Sequence, residues 1–471
     1  MAGIVSYGGY VPILRMERKI IASAWGRGAT AGERSIANSD EDSITMAVEG
    51  AINCLNKMDR KEIDGLYFAS TTSSYAEKMN AALIAAAVDL ERNVLTMDFT
   101  NSLRSSTAAL RAALDAIAGK SAKKVVVTAA DTRTAYPKSD QEQLFGDGAG
   151  AVLVGDDDVV ADYEGGFAVS NDMMDVWRNP EDQFIKQWEG RFVLGEGYTR
   201  NMKEAVSGLM KKYNVQPGTV SKVILPAPDD RTLKGLAKSL GFTDAQIQDS
   251  LLGNVGHCGA AHPLMMLSQA LEEAVPGDLL ILAAYGDGAD ALLFKTTDKV
   301  GENRSRRTMK SLVENKMMFT SYARFLSYKN IVEALPGEPF RLLPSATATW
   351  RENKTSTRLY ASKCRACGTA AYPIQRICYN CRSKDNYEEL RLSDRTGTVY
   401  TFTRDNLAGR SDDPVLIQTV AEFEGNIRFY GLMTDFVAEE TAVGMKVEPT
   451  FRRLYEGAGF HNYFWKLRPI K

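Results

Sequence analysis

"FGDGAGAVLVG" fills residues 145–155, and "YGDGADALLF" fills residues 285–294. Each joins a Gly-Asp-Gly-Ala turn to a short apolar run, as strands buried on both faces of a sheet do. The two copies stand near the ends of two stretches of similar length, which points to a duplicated fold with boundaries near residues 160 and 297. Working outward, "IDGLYFAST", "KKVVVTAAD" and "DLLILAAYGDG" read as further buried strands ending in small or polar residues. "SDEDSITMAVEGAINCL" reads as an amphipathic helix. Its Ile44, Ala47, Val48, Ala51, Ile52 and Leu55 share one face, and acids crowd its first turn. The expectation is a layered α/β domain with halves at 1–160 and 161–297.

The chain has 471 residues, too many for one ordinary core. With 44% hydrophobic and 25% charged residues it has the composition of a soluble globular protein. A net charge of −2 gives no electrostatic basis for binding nucleic acid or an anionic membrane. No apolar run approaches the roughly 18–20 residues of a membrane span. The start, "MAGIVSYGGYVPILRMERK", lacks the pattern of a secretion signal. A cytoplasmic protein is expected.

After residue 297 the character changes. Residues 298–340 read as a helical linker, and 341–471 as a second domain of short strands ("GTVYTFTRD", "VLIQTVAEFE", "IRFYGLMTDF") forming a small OB-like β-barrel. Within it, "CRACGTAAYPIQRICYNC" spaces Cys364, Cys367, Cys378 and Cys381 as two C-x2-C knuckles. Two such knuckles complete a tetrahedral zinc site, and four thiolates leave no open position, so the metal is expected to be structural. From residue 361 onward, 16 Lys/Arg stand against 14 Asp/Glu, a balance that argues against a nucleic-acid groove.

Candidate chemistry collects at turns. In "DFTNSLRSSTAALRAALDAI" (98–117) a strand meets a helix start, where free N–H groups stabilise an anion. "GNVGHCGAAHP" holds Asn254, His257 and His262 in a glycine-rich turn opening another helix, and either ring titrates near neutral pH. Cys258 between them reads as packing. Tyr285 ends a strand where open α/β sheets place their sites. Asp147 and Asp287 read as turn-holding residues. Arg231, Lys234 and Lys238 share one helix face, either merely solvated or a receptor for phosphates.

Together, "GIVSYGGYVPILRM", "DEDSITMAVEGA", "FGDGAGAVLVG" and "GNVGHCGAAHPLMML…AVPGDLLILAAYGDGADALLF" resemble the thiolase superfamily. The likeness is in particular to its hydroxymethylglutaryl-CoA synthase and β-ketoacyl synthase III branch. The segment from "RLLPSATATWRE" onward resembles the zinc-ribbon/OB-fold domain that accompanies such enzymes. The resemblance implies a duplicated five-layer fold, a homodimer, a coenzyme A thioester substrate, and a second domain that helps form the CoA entrance. Against the family's N-A-C-x-G-G-T-A-A-L, the chain reads "NSLRSSTAAL", with Leu103 at the cysteine. Against H-Q-P-N it reads "PAPD", with Pro226 at the histidine. The glutamate expected after "GLYFAS" is missing from "STTSSYAEK", while Gly253 and Asn254 keep the G-N motif.

Leucine cannot accept an acyl group. The resemblance and the residues together lead to an aldolase or retro-aldolase acting on a β-hydroxyacyl-CoA. In it Tyr285 or His257 takes the hydroxyl proton, Asn254 and His262 steady the enolate, and Leu103, Arg104 and Ser105 form an oxyanion wall. Arg231, Lys234 and Lys238 are assigned to the CoA phosphates. The alternatives are a Claisen-type acyltransferase and a non-catalytic acyl-CoA-binding scaffold.

Overall fold

The computed structural model describes residues 2–302, 305–332, 345–410 and 412–470; the chain divides into two units between Lys329 and Asn330. The first half of the first unit supplies β1 (Gly3–Tyr10), α1 (Ser43–Cys54), β2 (Gly65–Ser70), β3 (Leu95–Thr100), α2 (Ser105–Ala118), β4 (Lys124–Asp131) and β5 (Gly148–Gly155). The second half supplies β6 (Ala161–Ser170), α3 (Arg200–Lys212), β7 (Lys222–Ile224), α4 (Asp230–Ser239), α5 (His262–Glu273), β8 (Leu279–Tyr285) and β9 (Gly288–Thr296).

The strands form one sheet in the order β7-β8-β9-β6-β1-β5-β4-β2-β3. In the first half β2 runs parallel to β4, which turns back through β5 onto β1. In the second half β7 runs parallel to β8, which turns back through β9 onto β6. The two Gly-Asp-Gly turns thus precede equivalent strands, β5 and β9. The halves join where Gly3 and Ile4 of β1 pair with Asp162 and Ala161 of β6.

Alternation along each strand builds five layers. Val125 and Val127 of β4 and Leu280 and Leu282 of β8 meet a central layer made by α2 and α5. Thr128 points the other way and donates from Oγ1 to the Ala47 carbonyl of α1 at 3.1 Å. Ile281 and Ala283 likewise face α3 and α4 on the far side. The central helix approaches very closely: a Cβ at Gly150 would stand 2.7 Å from the Met265 backbone nitrogen, so only glycine lets α5 seat on β5.

The segment expected as a linker is, through Lys329, part of the first unit. Phe325 and Tyr328 share a core with Ile13, Met16 and Ile36. Lys329 Nζ pairs with the buried Asp147 carboxylate at 2.6 Å. Helical spacing shows that such residues can be buried but not against what, so sequence alone leaves them as a connection. Residues 333–344 of that segment lie outside the described residues.

In the second unit, β10 (Tyr360–Cys364), β11 (Ala370–Ala371) and β12 (Tyr387–Arg391) form a three-stranded sheet. Then β13 (Gly397–Asp405), β14 (Leu416–Phe423), β15 (Ile427–Leu432), β16 (Lys446–Gly457) and β17 (Phe460–Pro469) form a second sheet, in the order β15-β14-β13-β16-β17. A bridge from Met433 to Leu467 brings its two edges together around buried Phe429, Phe451 and Trp465.

Candidate active site

The C-terminal ends of the parallel strands converge on Asp131, the last residue of β4. Its Oδ1 accepts from Ser70 Oγ (2.9 Å), Thr71 N–H (2.7 Å), Thr72 N–H (3.0 Å) and Thr72 Oγ1 (2.9 Å). Its Oδ2 accepts from Thr71 Oγ1 (2.9 Å) and Ala260 N–H (2.7 Å). One carboxylate therefore ties the end of β2 to the histidine loop.

Beside this junction lies a mostly apolar cavity of about 270 Å³, with Leu103, Arg133, Asp175, Pro226, His257 and Tyr285 among its walls. Leu103 lines the cavity just ahead of Arg104, the cap of α2. Arg104 is occupied elsewhere: its guanidinium pairs with Asp290 and donates to the carbonyls of Val169 and Asp287. The N–H groups of Arg104 and Ser105 turn back to Ser102, leaving the Leu103 amide without a partner among the described residues. Ser105 is buried and does not line the cavity. Cys54 and Cys258 are buried outside it, and burial pushes both thiols up, Cys54 to about 12.

The two histidines separate in role. His262 donates from Nε2 to the Ser250 carbonyl (2.9 Å) and accepts the Cys258 N–H at Nδ1 (3.2 Å). Fully buried, it does not line the cavity. Its ring stacks on His257 at 4.8 Å and 9°. His257 accepts the Gly259 N–H at Nδ1 (3.2 Å), so the neutral ring carries its proton on Nε2. Burial, the His262 ring and the Arg133 guanidinium hold His257 well below the usual imidazole range. His257 is thus a hydrogen-bond donor rather than a base.

Burial pulls His262 to about 4. The unfolded chain then binds a proton near pH 6.5 that the folded chain refuses. The stability from the neutral ring is complete above pH 6.5 and drains as pH falls towards 4, by about 3 kcal/mol. Urea unfolding at pH 7 and at pH 4.5 checks this. His262→Gln should weaken the dependence and leave the share that His257 contributes, and an unchanged slope in that variant would remove the assignment.

Tyr285 is half-buried at the end of β8, with the Asp175 side chain acting on its hydroxyl. Its ring is held edge-on by Tyr198 at 5.5 Å. Burial, then the Asp175 carboxylate, push the phenol far above its ordinary value, so it keeps its proton. Asp175 is 5% exposed and accepts the Val176 N–H at Oδ1. Pro226 closes the wall, its carbonyl accepting from Tyr198 Oη at 2.9 Å.

Asn254 is exposed and borders a separate hollow with Glu17, Lys19 and Lys316. The same loop carries His257, not Asn254, to the cavity. Arg231, Lys234 and Lys238 are exposed on α4, whose cap Asp229 directly follows the cavity residues Pro226–Pro228. Sequence reasoning missed Asp175 and Arg133. The first lies in the irregular stretch "NDMMDVWRNPEDQF" and the second just past a strand end, and neither sits in a motif.

In the second unit, the sulfurs of Cys364, Cys367, Cys378 and Cys381 lie within 4.8 Å of one another. The Cys364–Cys381 and Cys367–Cys378 pairs are each 3.6 Å apart. A tetrahedron with Zn–S bonds of about 2.3 Å has edges of about 3.8 Å, so the four thiolates fit zinc. Each knuckle closes alike: Gly368 N–H donates to the Cys364 carbonyl and Arg382 N–H to that of Cys378, both at 2.9 Å. Gly368 and Arg382 both adopt positive φ, 74° and 61°.

Comparison with known proteins agrees with this architecture. Residues 97–171 match the model for 3-oxoacyl-[acyl-carrier-protein] synthase III, 210–294 that for its C-terminal part, and 354–388 the ChsH2 rubredoxin-like zinc ribbon. Hydroxymethylglutaryl-CoA synthase of Methanococcoides burtonii is 30% identical over 346 residues, covering 69% of this chain and 97% of that protein. Two solved structures share the fold. MvaS in complex with 3-hydroxy-3-methylglutaryl coenzyme A is 19% identical, has a TM-score of 0.62, and covers 73% of this chain and 94% of its own. The 3-oxoacyl-[acyl-carrier-protein] synthase III of Aquifex aeolicus VF5 is 23% identical, has a TM-score of 0.57, and covers 63% of this chain and 100% of its own. Among the described residues no helix is long and apolar enough to cross a membrane. The duplicated five-layer sheet, the converging strand ends and these relatives agree: the chain belongs to the hydroxymethylglutaryl-CoA synthase family of thiolase-like proteins, extended by a structural zinc ribbon.

Proposed function

We propose that the cavity breaks, or in reverse forms, the Cα–Cβ bond of a β-hydroxyacyl-CoA by aldol chemistry, with no acyl-enzyme. The observation that carries this is Leu103. The position from which the family would attack a thioester is hydrocarbon, and neither cysteine of the first unit lines the cavity. What remains is suited to proton transfer. Asp175 accepts the β-hydroxyl proton, relayed through the protonated Tyr285 hydroxyl. The Cα–Cβ bond breaks and its electron pair passes into the thioester as an enolate. His257 Nε2–H and the Leu103 amide stabilise that oxygen. The proton returns to Cα, releasing an acyl-CoA and an aldehyde or ketone.

A panel of β-hydroxyacyl-CoAs tests the reading: carbonyl product should appear in step with the shortened acyl-CoA. Silence across the panel with tight CoA binding would favour the scaffold. A Claisen-type condensation has one observation in its favour, the 30% identity to a synthase. It would proceed through an atypical nucleophile or by direct attack on the thioester, and an acyl adduct found by mass spectrometry would displace the aldol reading.

Gly197 supports the assignment of Tyr285. A Cβ there would stand 2.6 Å from Tyr285 Oη. Gly197→Ala should lower kcat by about 100-fold through displacement of the hydroxyl, with an unchanged melting temperature. A normal rate would detach Tyr285 from the chemistry.

The exposed side chains of Arg231, Lys234 and Lys238 beside the cavity wall support their assignment to the CoA phosphates. The homodimer is supported by the edge strand β3, which leaves Leu95 49% and Met97 37% exposed. Met97→Lys should sediment as a monomer where the unaltered chain sediments as a dimer.

A further inference from the structure

We propose that Lys329 is a positioning residue for the site: its ammonium, through Asp147, sets the backbone of the cavity wall that holds His257. This rests on the reading of His257 as the enolate donor and adds what fixes that donor in place. Lys329 lies beyond the duplicated core, at the end of the helix Tyr322–Tyr328. It is buried, and so is Asp147, the partner of its Nζ. The other Asp147 oxygen accepts the Ala37 N–H at 2.8 Å, so the carboxylate is held from two sides. The equivalent turn of the second half folds with its Asp287 exposed. The buried pair is therefore not a demand of the turn itself, and a buried ion pair is a weak source of stability.

Asp147 passes that hold to His257 through the neighbouring residues. The Leu144 carbonyl accepts the His257 N–H (2.8 Å), and Gly146 N–H donates to the His257 carbonyl (3.1 Å), a bridge of the parallel-sheet kind. The two backbones touch. A Cβ at Gly146 would stand 2.1 Å from the Val255 carbonyl oxygen, and one at Gly256 would stand 2.8 Å from that of Leu144. The Ser35 hydroxyl accepts the Asp147 N–H (2.9 Å) and reaches the Val255 carbonyl (3.1 Å), tying the same two segments again. With no slack between the backbones, a displaced Asp147 displaces His257. The same helix grips the other end of the wall, where Tyr322 Oη donates to Glu142 Oε1 at 2.6 Å. Leu144 and Phe145, between those two grips, line the cavity. A donor to an enolate acts only within about 0.5 Å of its productive place, so this wall governs rate rather than binding.

The test compares Lys329→Met with the double variant Lys329→Met/Asp147→Asn, which removes both charges of the pair and keeps an oxygen for the Ala37 N–H. In the full chain, both should lower kcat for carbonyl release by about 30-fold while KM changes by less than about twofold. The double variant should melt at the normal temperature, which separates position from stability, and it carries the test if Lys329→Met fails to fold. In a His257→Ala background the same double change should cost less than about twofold, because it acts through that ring. A readout free of turnover uses the chain's three histidines, labelled with carbon-13 at Cε1. The His257 resonance should move in both variants, with that of His461 in the second unit as the fixed reference. A normal kcat in the double variant, an undiminished cost in the His257→Ala background, or an unmoved His257 resonance would each overturn the inference. The two proposals fail separately. A moved resonance without carbonyl release rejects only the aldol chemistry, whereas carbonyl release at the normal rate in the double variant rejects only the role of Lys329.

Discussion

Asp175→Asn should abolish nearly all carbonyl release, lowering kcat by about 1,000-fold while KM for the thioester changes little. The amide keeps the size of the carboxylate and an oxygen for the Val176 N–H, so the wall and the loop stay in place. What disappears is the only acceptor in the proposed reaction with the means to take the β-hydroxyl proton. Tyr285 is held protonated by burial and by Asp175 itself, and His257 presents a donor. Tyr285→Phe should lose a comparable factor, and the double variant should lose little more than either alone, because the two groups act as one relay. Losses that multiply would separate them, and a rate within threefold of normal in Asp175→Asn would move the base elsewhere.

Cys364→Ser should remove the metal and collapse the ribbon. Metal analysis of the unaltered chain should find one zinc per chain, and the variant should find none. A structural zinc site contributes on the order of 10 kcal/mol of folding free energy. The three short strands around it, one of them the two-residue β11, bury too little apolar surface to replace that. The thiolase-like unit has its own core, so its thermal transition should persist while that of the second unit is lost. A variant that retains zinc, or a ribbon that resists chelation, would contradict the four-thiolate site.

The fold was largely legible because its signals are periodic or repeated. The two Gly-Asp-Gly turns mark equivalent strands, and the cysteine spacing maps directly onto a tetrahedron. The site was legible only in part. Tyr285, His257 and Leu103 stand in turns that carry a pattern, and all three line the cavity. Asp175 and Arg133 stand in irregular chain, where nothing in the order of residues announces that a fold will bring them together. Asn254 keeps a motif, but its loop brings His257 to the cavity and leaves the asparagine exposed at a separate hollow. His262 shows the opposite limit. Its chemistry is that of an acid or base, and only the structure reveals that both nitrogens are already engaged by the main chain.

Six donors meet at Asp131, and none of them comes from residue 103. The frame of the cavity is therefore indifferent to what stands where a nucleophile would stand. A lineage can exchange thiol for hydrocarbon there, or reverse the exchange, without first paying in foldedness. Reaction type becomes a cheap trait to change on such a scaffold, and the architecture that relatives share is an unreliable guide to the bond each one makes or breaks.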